Sequence, residues 1–134
     1  MAVQKTILKN ENLRAVVHLY ASAAGDTTSI ALTELLNSHQ TASATTALTV
    51  NIAYAYNNIS GSANSSVIIR RGNSTGTVVL TLYADSEFPG GQQLPALAIS
   101  NTSSIHVTWE TQGTVILDLR KVAGYDSPNY NVGV

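Results

Sequence analysis

The chain has 134 residues and no cysteine, so a single compact domain is expected, held together without disulfides or thiolate metal sites. Charged residues make up 11% of it where about 25% is usual, and the formal net charge is −1. This composition excludes the clustered Lys and Arg with which proteins neutralise nucleic-acid phosphates, so no nucleic-acid partner is expected. The polar surface instead rests on Ser, Thr and Asn, whose hydroxyls and amides are far less costly to desolvate at an interface than unpaired charges.

Short runs rich in Val, Ile, Thr and Tyr recur between clusters of Gly, Asn, Ser and Asp. This spacing predicts an all-β fold, an antiparallel β-sandwich or jelly-roll-like barrel of about eight strands. The opening Met1 to Asn10 lacks the continuous apolar stretch of a secretory signal, and no apolar run reaches the ~18 residues of a membrane span. Synthesis in a cytoplasm and no membrane partner are the expectations. Leu13, Ala15, Val17 and Leu19 then alternate with Arg14, Val16, His18 and Tyr20, which assigns the first set to a buried face. Gly25-Asp26 turns the chain into a strand from Thr28 to Leu32. Thr33 is placed to cap one short helical turn through Glu34, Leu35 and Leu36, the one helical turn expected. Thr41 to Ala47 has no apolar periodicity and reads as a loop. The clearest alternation follows, with Leu48, Val50, Ile52, Tyr54 and Tyr56 on one face and Thr49, Asn51, Ala53 and Ala55 on the other. It predicts that both tyrosines are core.

Beyond the polar stretch Asn57 to Asn64, the runs Ser66 to Arg70 and Thr77 to Tyr83 flank Gly72-Asn73-Ser74-Thr75-Gly76 as a hairpin, with Arg70 and Arg71 at its tip. Phe88-Pro89-Gly90-Gly91 reads as a turn and Leu97 to Ile99 as a short strand. A final hairpin is predicted around Gly113: a three-residue loop pairs Trp109 with Leu117 and Val107 with Leu119. The two-residue alternative would set Asp118 among apolar side chains. Ile105, Val107, Trp109, Leu117 and Leu119 are therefore expected in the core. Residues 1–123 form the sandwich domain, and 124–134, with Tyr125, Tyr130, Val132 and Val134, read as an extended arm whose tyrosines suit docking.

Nothing in the sequence supports catalysis. His18 and His106 lie on separate strands and His39 on a loop, in no zinc-ligand spacing, and no nucleophile elbow, phosphate loop or dinucleotide turn is present. Asp85 and Glu87 could share one side of a strand and hold a hard cation, but a solvated strand end explains them better, so no metal or cofactor is expected. Asn58, Asn64, Asn73 and Asn101 each begin an Asn-x-Ser/Thr triplet, read as turn chemistry. Arg70 and Arg71 form an adjacent basic pair able to meet a carboxylate on a neighbouring subunit. With Tyr125, Tyr130, Val132 and Val134 they make up the expected interface.

The opening Met-Ala-Val-Gln-Lys-Thr-Ile-Leu-Lys-Asn, the Leu-Arg-Ala-Val-Val strand and the closing Val-Ile-Leu-Asp-Leu-Arg-Lys-Val-Ala-Gly-Tyr resemble the ends of small virion structural proteins from tailed phages of marine cyanobacteria. The resemblance covers the two ends, and the β-rich middle only in style, and it carries no catalytic motif. It implies a non-enzymatic component of the virion's outer surface. A head decoration or cement protein fits best, bound to the major capsid protein and assembled as a homo-oligomer, with a trimer favoured. The alternatives are a neck, tail or fibre accessory protein, or a carbohydrate-binding adhesive β-domain. The last requires an exposed aromatic platform, for which Tyr54, Tyr56 and Tyr83 are the candidates.

Overall fold

The computed structural model describes residues 3–59, 65–83, 87–88, 101–127 and 130–131. A five-stranded antiparallel sheet runs in the order β1 (Val3–Asn10), β2 (Arg14–Ala21), β10 (Gly113–Ala123), β5 (Thr49–Ile59) and β8 (Glu87–Phe88). A four-stranded sheet runs β3 (Thr27–Ile30), β9 (Ile105–Trp109), β6 (Ser66–Arg71) and β7 (Thr77–Tyr83). A small third sheet joins β12 (Tyr130–Asn131), β11 (Tyr125–Ser127) and β4 (Thr41–Ala42). Both larger sheets are open among the described residues, so the fold is an all-β sandwich and not a closed barrel.

One buried cluster unites the two larger sheets. Ala15, Val17, Leu19, Ile52, Leu117 and Leu119 enter it from the first, and Val67, Ile69, Val107 and Trp109 from the second. Side chains of this size contribute about 1.5–3 kcal/mol each when fully buried, which makes this contact the main source of stability. The alternation read for β2 is present for Ala15, Val17 and Leu19, whereas Leu13 lies just before the strand and is half exposed.

The predicted final hairpin does not form. β9 pairs with β3 and β6, while β10 pairs with β2 and β5, so residues 110–112 carry the chain from one sheet to the other. Ile105, Val107, Trp109, Leu117 and Leu119 are nonetheless all fully buried. Burial dictates which side chains face inward, and two strands on opposite sheets satisfy it as well as two strands in one. Gly113 takes φ +151°, and a Cβ there would lie 2.5 Å from Ile59 Cα.

The hairpin of β6 and β7 matches its prediction. Arg71 pairs with Thr77, leaving Gly72 to Gly76 as a five-residue loop in which Asn73 Oδ1 accepts from the Thr75 N–H at 2.9 Å. Arg70 and Arg71 are the last two residues of β6, paired on their other side with His106 and Ile105, so they border the loop and do not form it. The helical turn is a 3₁₀ turn at Leu32–Leu35 that buries Leu32 and Leu35. Thr33 sits inside it; the entry is held by the Ala31 N–H donating to Glu34 Oε2 at 2.9 Å. Thr41 and Ala42, read as loop, form β4 because β11 supplies their partners. The Pro89 to Gly91 turn and the Leu97 to Ile99 strand lie outside the described residues.

Candidate docking site

A single inserted residue decides what the five-stranded sheet shows to solvent. Asp118 on β10 pairs with Tyr54, but Leu119 pairs with Ile52, so Ala53 is a β-bulge with no partner of its own. Side chains alternate with period 2, and one extra residue exchanges the two faces from that point on. Val50 and Ile52 point inward before the bulge, and Ala55 and Ile59 point inward after it. Tyr54 and Tyr56 are thereby turned to the outer face. The expectation that both are core is thus corrected: Tyr56 is 39% exposed, Tyr54 is half-buried, and their rings lie 6.5 Å apart at 40°.

The register of β2, β10 and β5 sets out this outer face as cross-strand rows. Tyr20, Thr114 and Asn58 form one row, His18, Ile116 and Tyr56 the next, and Val16, Asp118 and Tyr54 the third. Two of these nine side chains are formally or potentially charged, Asp118 and His18, and the rest are aromatic, aliphatic or neutral polar. Asp118 is neutralised by Arg14, whose Nε and Nη2 each donate to one carboxylate oxygen at 2.9 Å. This bidentate geometry holds the guanidinium still more firmly protonated than usual.

At the bulge end of the face a slot of about 280 Å³ opens between Leu13, Arg14, Ala53, Asp118, Leu119 and Arg120. Leu119 turns its fully buried side chain into the core, and Leu13 is 48% exposed at the side of the slot. Arg14 and Arg120 are directly opposite one another across β2 and β10.

Two cations are buried inside the sandwich, and neither offers itself to a ligand. Arg71 points inward. Its guanidinium donates to the carbonyls of Val50 at 2.9 Å, Asn101 at 3.0 Å and Ser103 at 2.6 Å, tying the turn before β9 to β5. Burial lowers its pKa to about 10. Lys121 donates to Asn10 Oδ1, the Glu11 carbonyl and Gln40 Oε1 at 2.5–2.7 Å, with the Tyr125 ring 5.0 Å away. Desolvation lowers its pKa to about 8.

The residues expected at an interface are therefore dispersed. Arg71 and Tyr125 are engaged within the chain: Tyr125 is fully buried and its hydroxyl donates to the Leu32 carbonyl at 2.6 Å. Burial raises that phenol well above its ordinary pKa. Arg70 is half-buried on the outer face of the second sheet beside His106. Tyr130 pairs with Ser127 through β12, and Val132 and Val134 lie outside the described residues.

The three histidines stay apart. His18 is on the outer face of β2 and His39 is exposed after the 3₁₀ turn. His106 is nearly buried, with Nδ1 3.0 Å from Ser29 Oγ, and desolvation together with Arg70 lowers its pKa. Among the described residues no three His, Asp, Glu or Cys side chains gather as metal ligands. Asp85 is outside the described residues, as is the Glu87 side chain. Comparison with protein-family models, curated proteins and solved structures yields no match.

Proposed function

We propose that this chain is a non-enzymatic virion structural protein of a tailed phage, a head decoration or cement protein that docks on the capsid lattice through the outer face of its five-stranded sheet. The observation that carries the reading is the character of that face. Its one carboxylate is already paired with Arg14, Arg120 stands beside that pair at one end, and the rows beyond carry tyrosine, isoleucine, valine, threonine and asparagine with a single histidine, His18. Depletion of charge with enrichment of aromatic side chains is the composition of a protein-binding patch. The sequence resemblance to cyanophage virion proteins supplies the setting, and a closed homo-oligomer, a trimer by preference, supplies the symmetry of a lattice axis. The test is immunogold labelling of purified particles with an antibody against this chain, together with its mass in solution. Label on heads and an oligomeric mass are expected. Label on the neck, tail or fibres would move the protein to an accessory position, and unlabelled particles would refute the virion reading.

A second reading gains support from the bulge. Tyr54 and Tyr56 stand on the exposed face, which removes the objection to a carbohydrate-binding adhesive domain, since sugars stack on accessible aromatic rings. A glycan array separates the two. Selective binding that is lost on Tyr56→Ala would favour the adhesive reading, and a blank array would leave protein docking as the use of this face.

A further inference from the structure

We propose that the slot beside Ala53 receives a carboxylate and a neighbouring apolar side chain from a partner protein. The proposal rests on the protein-docking reading above and names the chemistry of the docked segment.

Three features of the slot point to this occupant. First, its rim places Arg14 directly opposite Arg120, and like charges in directly opposed cross-strand positions are destabilising. Asp118 relieves one of them by taking Arg14 in a bidentate pair. Arg120 has no acceptor in hydrogen-bond reach among the described residues, whereas Arg14 has Asp118 in contact and Glu11 acting at longer range. A carboxylate brought by a partner would give Arg120 the pairing that Arg14 already has.

Second, the interior offers apolar surface, which Leu13 and Ala53 supply. A small free anion would gain little here, because exposed ion pairs are weak in water, whereas an aliphatic side chain would withdraw Leu13 from solvent as the carboxylate reaches the rim. Third, the volume of about 280 Å³ is slightly below the roughly 300 Å³ at which pockets for whole small molecules begin. It suits one or two side chains presented by a larger partner. A nucleic-acid phosphate would bring the charge without the apolar body.

The probes are two blocked dipeptides, N-acetyl-Leu-Glu-amide and N-acetyl-Leu-Gln-amide, titrated into the full-length protein while amide chemical shifts are followed. Binding in the millimolar range is expected to shift Ala53 and Leu119, with the Glu peptide about fivefold tighter than the Gln peptide, as one exposed charge-assisted contact allows. Arg120→Gln, on an exposed side chain, is expected to abolish that preference while leaving the spectrum folded. Asp118→Asn, which removes the internal competitor for Arg14, is expected to tighten the Glu peptide about threefold. Equal binding of the two peptides, a Glu preference that survives Arg120→Gln, or no shifts up to concentrations on the order of 10 mM would each overturn the proposal. A flat titration alongside labelled heads refutes the slot alone. A positive titration with unlabelled particles refutes the virion setting alone.

Discussion

Replacing Lys121 with Met tests whether its buried ammonium governs how stability responds to pH. In the folded protein Lys121 is 1% exposed and its pKa is lowered from 10.5 to about 8, with desolvation as the cause. The protonated form is therefore penalised by folding. Between about pH 8 and 10.5 the unfolded chain binds more protons than the native one, so native stability rises with pH across that window. The full shift corresponds to about 3 kcal/mol, of which about 2 kcal/mol is recovered between pH 7 and pH 9.5. Lys121→Met removes the titrating group and leaves Asn10 Oδ1, the Glu11 carbonyl and Gln40 Oε1 without their donor. Each lost bond to a charged donor is worth about 1–3 kcal/mol, less where water can replace it at exposed Glu11, so the variant is expected to be less stable at pH 7. Its deficit should then widen by about 2 kcal/mol on going to pH 9.5, because the wild type gains and the variant does not. Urea denaturation of both proteins at pH 7, 8, 9 and 9.5 measures the gap. The upper limit stays below the range where Tyr125, whose pKa is raised by burial, would begin to favour unfolding. A gap that is constant or that narrows with pH would refute the reasoning.

Arg71→Lys keeps the charge but loses the planar fork that reaches three carbonyls at once. It is expected to cost about 2–4 kcal/mol in chemical denaturation and to speed hydrogen exchange at the Val50 amide, which donates to the Asn101 carbonyl. Tyr125→Phe leaves the ring in place and removes the hydroxyl's bond to the buried Leu32 carbonyl, which keeps the Leu35 N–H of the 3₁₀ turn. A loss of about 1–2 kcal/mol by thermal melting is expected, with no change in oligomeric mass. Gly113→Ala must accommodate a Cβ 2.5 Å from the Ile59 backbone at a positive φ. A drop of at least about 2 kcal/mol in urea denaturation is expected, and a variant as stable as wild type would show that β10 and β5 separate more easily here than their geometry implies.

The all-β class and most of the core were legible because β2, β9 and β10 obey one uninterrupted period. Ala15, Val17, Leu19, Val107, Trp109, Leu117 and Leu119 follow from it directly. Pairing partners were not legible, since β9 and β10 satisfy the same burial rule on different sheets. β1 was missed for a related reason: nearly all of its residues are exposed, so no alternation marks it. The buried cations were hidden by their charge, which ordinarily places a side chain outside. Their parity was the available signal, for Arg71 continues the inward set Val67 and Ile69, and Lys121 continues Leu117 and Leu119. Tyr125 was read as part of an arm because a lone aromatic after a glycine has no period to belong to.

The outward set of the docking face is hidden in the sequence by Ala53, and nothing in composition announces an alanine as a bulge. Deleting Ala53 joins Ile52 directly to Tyr54, so β5 then alternates strictly with Ile52 and Ala55 still inward and Tyr54 and Tyr56 still outward. Turning the rings inward would instead force them into alanine-sized space at about 1–3 kcal/mol per site, and expelling Val50 and Ile52 costs about as much. Either inversion would consume a large part of the roughly 5–15 kcal/mol by which a domain is stable. Ala53→Gly keeps the residue count and should cost no more than about 1 kcal/mol. Urea denaturation is therefore expected to show near-native stability for Ala53→Gly and a loss of no more than about 2 kcal/mol for the deletion, with both tyrosines still open to solvent quenching. If the deletion variant folded with native stability while its tyrosines became protected from solvent quenching, the outward register of Tyr54 and Tyr56 would be wrong. The docking face would then go with it.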